Sequence, residues 1–128
     1  MSQDEAIMHE HLRYATRSKG DKTMVTIPDY FTCHKQTPFF KRDSVPAALL
    51  SWHNTRAGVY ARLSVMRGGI CFTGFRGETQ EIEREVIVAA GQFLVAPPQY
   101  WHKIVLLTDD TCFNLDFFSD PQLHDTAE

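Results

Sequence analysis

Cysteine is scarce in this sequence, and long apolar runs are missing. The 128-residue chain has three cysteines, at positions 33, 71 and 112, and none belongs to a CxxC pair. An odd number of widely spaced cysteines argues against a disulfide framework and a zinc ribbon, so we expect each to be a small buried hydrophobe. No stretch reaches the roughly 18 to 20 apolar residues that a membrane span needs. Because the polar, acidic N-terminus does not resemble a signal peptide either, we expect a cytoplasmic protein with no membrane partner.

The sequence also lacks an excess of positive charge. Thirteen Lys and Arg residues face sixteen Asp and Glu residues, which gives a formal net charge of -3. Because no basic stripe is present to neutralise phosphates, we expect no nucleic-acid partner. The hydrophobic fraction of 43% and the charged fraction of 23% are typical of a globular protein. This length is that of one domain with one core.

The chain is organised around the stretch from Gly91 to His102, in which a short apolar run is followed by Pro97 and Pro98. Proline has no N–H, so this pair predicts the end of a strand and a rigid corner. The rigid corner would fix the position of His102 at the start of the next apolar run. An imidazole in that position can be a metal ligand or a polar contact in a barrel mouth. It can equally be a histidine held by packing and one hydrogen bond.

Short strands separated by turn residues are predicted from Met24 onward. Alternation of apolar and polar residues predicts strands at about 59–66, 70–75, 81–88 and 111–118. A helical turn is expected at 44–50 with Ser44 as its N-cap, and a short helix at 4–15. Six or more short strands at roughly ten-residue intervals indicate an all-β barrel or a double-sheet jelly roll.

Two of the predicted strands carry polar side chains on one face and apolar side chains on the other. Alternation shows which residues share a face, but it does not show which face lines the interior. We take Arg62 and His102 as groups that could bind an anion, and Arg56 as a cation of a loop. The candidate pocket residues are His53, Tyr60, Arg62, Trp101, His102, Asn114 and Asp116.

The spacing of Gly91, Pro97 and His102 resembles the second sequence motif of the cupin family, in which the histidine binds metal. Gln99 replaces a glycine of that motif, and Leu106 replaces its asparagine. Cupins are jelly rolls, so the resemblance implies the fold class that the strand pattern indicates. We therefore predict an all-β, cupin-like double-stranded β-helix, or jelly-roll sandwich, with a short N-terminal extension.

Further signatures along the chain resemble the TehB/YeaR-like domain, a small cupin-type β-sandwich found alone or in front of a methyltransferase in some tellurite-resistance proteins. These signatures are Val45-Pro46, His53-Asn54-Thr55, Gly58-Val59-Tyr60, Leu63-Ser64-Val65-Met66, Gly91, Pro97-Pro98, Trp101-His102 and 108–118. The resemblance implies a domain at 24–121, an extension at 1–23 that is helical or disordered, and a tail at 122–128. Methyl transfer is not expected, because the glycine-rich strand-to-helix turn of a methyltransferase is missing.

The resemblance also implies a metal site that this chain supplies only in part. The first cupin motif would provide two histidines and a glutamate, but the glutamate position falls on Ala61 and only His53 lies near the histidine pair. His53 and His102 are therefore the candidate metal ligands, for zinc, iron or nickel. A third ligand could come from Asp116, Glu83 or a water molecule.

Three functions remain open from the sequence, and no catalytic residue is assigned. The first is a cupin-like binding or sensing module of an oxidant or tellurite stress response, which takes a divalent metal, a small molecule or an oxyanion in its barrel. The alternative is a metal-dependent cupin enzyme that acts on a small molecule. The third is a structural homodimerisation module, because small jelly rolls leave an apolar outer face and strand edges to cover. A homodimer is therefore the expected partner state.

Overall fold

Two antiparallel β-sheets of four strands each make up the structure, a computed structural model that describes residues 20–22 and 25–123. The strands are β1 (Thr32–Gln36), β2 (His53–Asn54), β3 (Tyr60–Arg67), β4 (Gly69–Phe75), β5 (Ile82–Ala89), β6 (Phe93–Ala96), β7 (Trp101–Leu106) and β8 (Cys112–Ser119). Sheet I has the order β1-β8-β3-β6, and sheet II has the order β2-β7-β4-β5. The prediction of an all-β, cupin-like jelly roll is confirmed.

The β3–β4 turn shows how one residue type permits a sheet-to-sheet connection. Gly68 has φ +71, in the left-handed region that favours glycine. A Cβ on Gly68 would lie only 2.7 Å from the hydroxyl oxygen of Thr111. That hydroxyl donates to the Gly69 carbonyl (2.9 Å) and accepts from the Gly69 N–H (3.3 Å). The glycine therefore lets a buried threonine tie the start of β4 to the turn before β8.

The diproline corner lies where the sequence predicts it. Strand β6 ends at Ala96, and β7 begins at Trp101. Between them, Gln99 has φ +55, so it adopts the left-handed conformation at the position where the cupin motif has glycine. The Gln99 N–H donates to the Thr55 carbonyl at 2.8 Å. The corner thereby also anchors the end of β2.

The core lies between the two sheets and is built from the apolar faces of their strands. Phe72, Phe113, Ile70 and Val88 have 0 to 1% of their surface exposed. Burying a side chain of this size stabilises the fold by roughly 1.5 to 3 kcal/mol. The other buried members of the core cluster are Leu63, Val65, Leu94, Ala96, Ile104 and Leu115.

Two local predictions are corrected by the structure. The helical turn is a 3-10 helix, Ala47–Leu50, and its N-cap is Pro46 rather than Ser44. The Ser44 hydroxyl instead accepts a hydrogen bond from the Lys41 N–H at 2.8 Å. Burial was also expected of all three cysteines, but Cys112 is buried, Cys71 half-buried and Cys33 exposed.

The chain before β1 contributes to sheet I. Gly20 accepts from the Phe93 N–H at 2.8 Å, and the Lys22 N–H donates to the Phe93 carbonyl at 2.7 Å. Residues 20–22 therefore cover part of the open edge of β6. The helix predicted at 4–15 lies outside the described residues, and the domain limits stay a prediction. In the described part of the chain, no helix has the length and apolar character to cross a bilayer.

Candidate functional site

An interior cavity of about 250 Å³ lies between the two sheets. Most of its wall is apolar, and the polar groups gather at one end. The apolar lining residues are Leu49, Ala61, Leu63, Phe72, Leu94, Ala96, Ile104, Leu115 and Phe117, and the polar ones are His53, Asn54, Thr55, Arg56 and His102. Concave, mostly apolar cavities with a few convergent polar groups are typical of small-molecule sites.

Strand pairing brings the two candidate histidines together. In the antiparallel β2–β7 pair, His53 lies directly opposite His102. Their ring centroids are 4.2 Å apart, and the ring planes meet at 64°. The His102 ring also stacks on Phe72, with centroids 4.8 Å apart. The two imidazoles, which are far apart in the sequence, therefore border one interior space.

Both histidine rings are oriented by the backbone. Nδ1 of His53 lies 2.8 Å from the Ser51 carbonyl oxygen, and Nδ1 of His102 lies 2.7 Å from the Tyr100 carbonyl oxygen. A carbonyl oxygen can only accept, so each Nδ1 carries the hydrogen. In a neutral ring, Nε2 is then a free lone-pair donor. Hydrogen bonding of Nδ1 to a carbonyl is also the usual arrangement behind histidines that bind metal through Nε2.

His102 is held in its neutral form. Burial lowers the pKa of His102 from 6.5 to about 4, and the neighbouring His53 acts in the same direction, against the raising effect of the Tyr100 carbonyl. Burial disfavours the charged imidazolium because the surrounding wall solvates it poorly. At neutral pH the ring is therefore a Lewis base and not a cation.

Tyr100 stabilises the polar end of the cavity through hydrogen bonds of its carbonyl and its hydroxyl. Its carbonyl accepts from His102 Nδ1 and, at 3.3 Å, from both the N–H and the hydroxyl of Thr55. Its hydroxyl donates to Glu83 Oε1 at 2.7 Å. Burial, followed by the hydrogen bond and the charge of Glu83, raises the pKa of Tyr100 to about 12. One residue therefore links β5, the segment just after β2 and the histidine of β7.

Three of the polar residues expected in the pocket lie elsewhere. Leu63 and Leu115 line the cavity, so the alternate residues Arg62, Asn114 and Asp116 belong to the opposite face of sheet I. There Arg62 donates to Asp116 Oδ2 at 3.0 Å, and Asn114 donates to Asp116 Oδ1 at 3.4 Å. The expectation that they line the cavity is wrong, because alternation alone could not identify the inner face.

Tyr60 and Trp101 are likewise absent from the cavity wall. Tyr60 makes an edge-to-face contact with Phe31, with ring centroids 5.4 Å apart. Trp101 lies on the face of β7 opposite to His102 and stacks on Trp52 at 4.0 Å. Each packs against an aromatic ring rather than bordering the cavity.

Neither of the two side chains proposed as a third metal ligand completes a site with the histidines. Asp116 is paired with Arg62, and Glu83 accepts from Tyr100. Within residues 20–22 and 25–123, no group of three or more His, Cys, Asp and Glu side chains is placed to hold a metal ion. The imidazole donors at the cavity are thus His53 and His102.

Arg56, like Asn54 and Thr55, is a polar residue of the cavity that was not predicted from the sequence. As expected, Arg56 is an exposed cation in the loop between β2 and β3, and it also lines the cavity. No ion pair of Arg56 occurs among the described residues. The sequence could have indicated this role, because Arg56 follows Thr55 in the same short segment as the candidate ligand His53. The cavity thus has a cation at its polar end.

The family can be assigned from comparison with known proteins. The sequence matches the model of the TehB-like domain over residues 35–115. The chain belongs to the TehB-like family. The predicted relation to TehB/YeaR proteins and to the tellurite-resistance family is thereby confirmed.

Similarity within the TehB-like family extends to whole small proteins and to parts of larger ones. The chain is 41% identical to the uncharacterized protein YeaR of Escherichia coli K12 over 104 residues, 78% of this chain and 87% of YeaR. It is 28% identical over 86 residues to the probable S-adenosyl-L-methionine-dependent methyltransferase TehB of Haemophilus influenzae, 67% of this chain and 30% of TehB. The chain therefore corresponds to about a third of TehB.

Solved structures agree with this TehB-like assignment. A crystal structure of an Escherichia coli K12 protein superposes with a TM-score of 0.71 at 42% identity, covering 77% of this chain and 99% of the other. The crystal structure of TehB from Haemophilus influenzae superposes with a TM-score of 0.72 at 26% identity, covering 77% of this chain and 35% of TehB. Both share the fold described above.

Proposed function

We propose that this TehB-like chain is a small-molecule binding module that holds a divalent metal ion on His53 and His102 and takes a small organic acid with it. The proposal depends on the pairing of the two imidazole rings. Their centroids are 4.2 Å apart, and each Nδ1 is hydrogen-bonded to a backbone carbonyl. In the neutral rings, this arrangement leaves Nε2 as the lone-pair donor, and both rings line one cavity.

The donor set fits a metal ion that is held loosely. Two neutral imidazoles suit zinc, iron or nickel, and His102 stays neutral because burial lowers its pKa to about 4. Structural zinc sites use four protein ligands, whereas sites that act on solutes keep positions open. With two protein donors, the remaining positions belong to water or to the ligand. When bound, the ion would supply a Lewis acid for the oxygen atoms of a ligand.

The other residues that line the cavity indicate which class of ligand would bind. Arg56 offers a guanidinium at the polar end, and guanidinium groups bind carboxylates through two parallel hydrogen bonds. Beyond it, Phe72, Leu94 and Ile104 present apolar surface. A small acid with a short apolar portion matches both features. Because the acid would contact the ion and the protein together, each should strengthen the binding of the other.

Membership in the TehB-like family supports placing this binding module in a response to tellurite or oxidant stress. A module that binds a metal and an acid jointly would report the presence of both. This role is that of a sensor or binding protein, and it requires no reaction in the cavity.

The test is zinc binding to protein purified without a histidine tag. We expect the wild type to bind Zn²⁺, and His53→Ala and His102→Ala each to weaken binding by about tenfold or more. His34→Ala is the matched control, because His34 lies on β1 beside Ser119 and away from the cavity. Equal zinc affinity in all four proteins would refute the metal site.

A second measurement separates the acid from the ion. With butyrate as the probe acid, we expect zinc to increase butyrate affinity, and Arg56→Met to reduce it while leaving the affinity for zinc alone unchanged. Butyrate binding that ignores both zinc and Arg56 would contradict the proposed ligand class.

A further inference from the structure

The outer face of sheet II carries an exposed apolar row. Ile87, Cys71 and Val105 are register partners on the adjacent strands β5, β4 and β7. All three point away from the core, because the alternate residues Phe72, Val88 and Ile104 are buried. Ile87 is 53% exposed and Val105 is 43% exposed, with Cys71 half-buried between them. Apolar side chains aligned across three strands of one face suit an interface.

A charged row lies beside the apolar row on the same face. Thr73 on β4 is the register partner of Glu85 on β5 and of Lys103 on β7. Glu85 is exposed and Lys103 half-buried. Across the described residues, neither of them forms an ion pair within the chain. The face therefore carries a negative charge on one flank of β4 and a positive charge on the other.

We propose that this face of sheet II binds the same face of a second copy of the chain, around a two-fold axis that runs along β4. Such an axis exchanges the two flanks of β4 and leaves the position along the strand unchanged. Glu85 of one protomer then faces Lys103 of its partner, twice by symmetry. Ile87 faces Val105 in the same way, and Cys71 faces its own copy.

The arrangement of the charges favours a second copy of the chain as the binding partner and favours a two-fold axis along β4. A two-fold interface must be complementary to itself, so each group has to meet its complement in the rotated copy. An axis along β4 matches opposite charges and apolar side chains row by row. A two-fold axis perpendicular to the strands would instead reverse the position along each strand. The charged row of one copy would then generally not face the charged row of the other. Like charges brought together in an interface suppress association.

Charge reversal tests the proposed pairing. Glu85→Lys sets two lysine side chains against each other across the interface, and Lys103→Glu sets two glutamates against each other. Each variant should weaken the dimer by roughly tenfold or more in sedimentation equilibrium. The Glu85→Lys/Lys103→Glu double variant should restore the dimer. Glu78→Lys, the same charge change in an exposed loop, is the matched control and should leave dimerisation unchanged.

Mixing the two single variants gives the sharpest readout, since each repels its own copy and complements the other. We expect an equimolar mixture to form a heterodimer at concentrations where each variant alone is monomeric. Retention of the fold by each variant is checked by its thermal unfolding. A wild type that is monomeric at micromolar concentration would overturn the proposal. So would a dimer that neither reversal weakens, since that dimer would use another surface.

The position of Cys71 provides an independent test of the axis. Sheets packed face to face lie about 10 Å apart, too far for a disulfide but within reach of a short flexible bis-maleimide. In a Cys33→Ser background, which removes the exposed thiol, we expect cross-linked dimers. Adding Cys71→Ser should abolish them. Cross-linking that persists without Cys71 would contradict the axis.

Discussion

His53 and His102 meet edge to face, with ring centroids 4.2 Å apart, on antiparallel strands that place them in register. The backbone carbonyls of Ser51 and Tyr100 each hold one Nδ1 hydrogen. The two rings are therefore oriented before any ligand arrives, which lowers the cost of ordering them on binding. This preorganisation is the physical basis of the proposed function.

The first prediction concerns the pH dependence of stability in metal-free protein. Burial holds the pKa of His102 near 4, whereas an unfolded histidine titrates near 6.5. Between these values the unfolded chain binds a proton that the native ring rejects, so stability should fall as pH falls from 6.5 to 4. The loss attributable to His102 is about 3 kcal/mol at most.

Urea denaturation in the presence of a chelator measures this effect. The His102→Gln variant removes the titrating ring and keeps a side chain that can donate a hydrogen bond to Tyr100. We expect its free energy of unfolding to change less between pH 6.5 and pH 4 than that of the wild type. Parallel curves for the two proteins would mean that His102 titrates normally.

The second prediction concerns the diproline corner. Gln99 has φ +55, a conformation that costs a residue with a side chain about 1 to 2 kcal/mol relative to glycine. Gln99→Gly should therefore raise the free energy of unfolding by about 0.5 to 1 kcal/mol, after allowance for the greater entropy of glycine in the unfolded chain. Gln99→Ala is the control, because it removes the side chain and keeps the strain. A Gln99→Gly variant that is no more stable than Gln99→Ala would show that the strain does not exceed the entropy cost of glycine.

The third prediction tests the reassignment of Arg62 from ligand binding to structure. Asp116 is 4% exposed and depends on Arg62, at 3.0 Å, as its cationic partner. Arg62→Met leaves this carboxylate buried without that partner and should cost roughly 1 to 3 kcal/mol of stability. Adding Asp116→Asn should recover part of the loss. Zinc affinity should stay unchanged in both variants, and a loss of zinc binding would return Arg62 to the site.

The fourth prediction concerns the packing of Tyr100 on Gly74. A Cβ on Gly74 would lie 2.6 Å and 2.7 Å from two ring carbons of Tyr100. Gly74→Ala should displace the tyrosine that holds His102, and should destabilise the fold by roughly 1 to 3 kcal/mol. In a Tyr100→Ala background the same change should cost little, because the clash is gone. A double-mutant cycle measures the coupling, and additive losses would show that the ring is not the obstacle.

Local chemistry made much of the fold predictable from the sequence. Gly68 marks the β3–β4 turn, and Pro97 and Pro98 separate β6 from β7, because each of these residues restricts or frees the backbone in a known way. The strand limits agree with the alternation to within one or a few residues. These features depend on near neighbours in the chain.

The lining of the cavity was harder to predict, because it depends on which face of each strand the opposite sheet covers. Asn114 and Asp116 alternate with Leu115, and all three are buried, so burial occurs on both faces of β8. Polar residues on a buried strand resemble a ligand site until the partner sheet is known. His53 and His102 were identifiable because the motif spacing and the chemistry of imidazole both indicated them.

The measurement that tests the central claim most directly is nitrogen-15 NMR of the histidine side chains during titration with Zn²⁺ at neutral pH. We predict that Nδ1 of His53 and of His102 is protonated before zinc is added, and that both Nε2 resonances shift together and reach their end point at an equimolar amount of zinc. Unchanged Nε2 resonances, or a shift confined to one of the two rings, would contradict a shared metal site in this cavity.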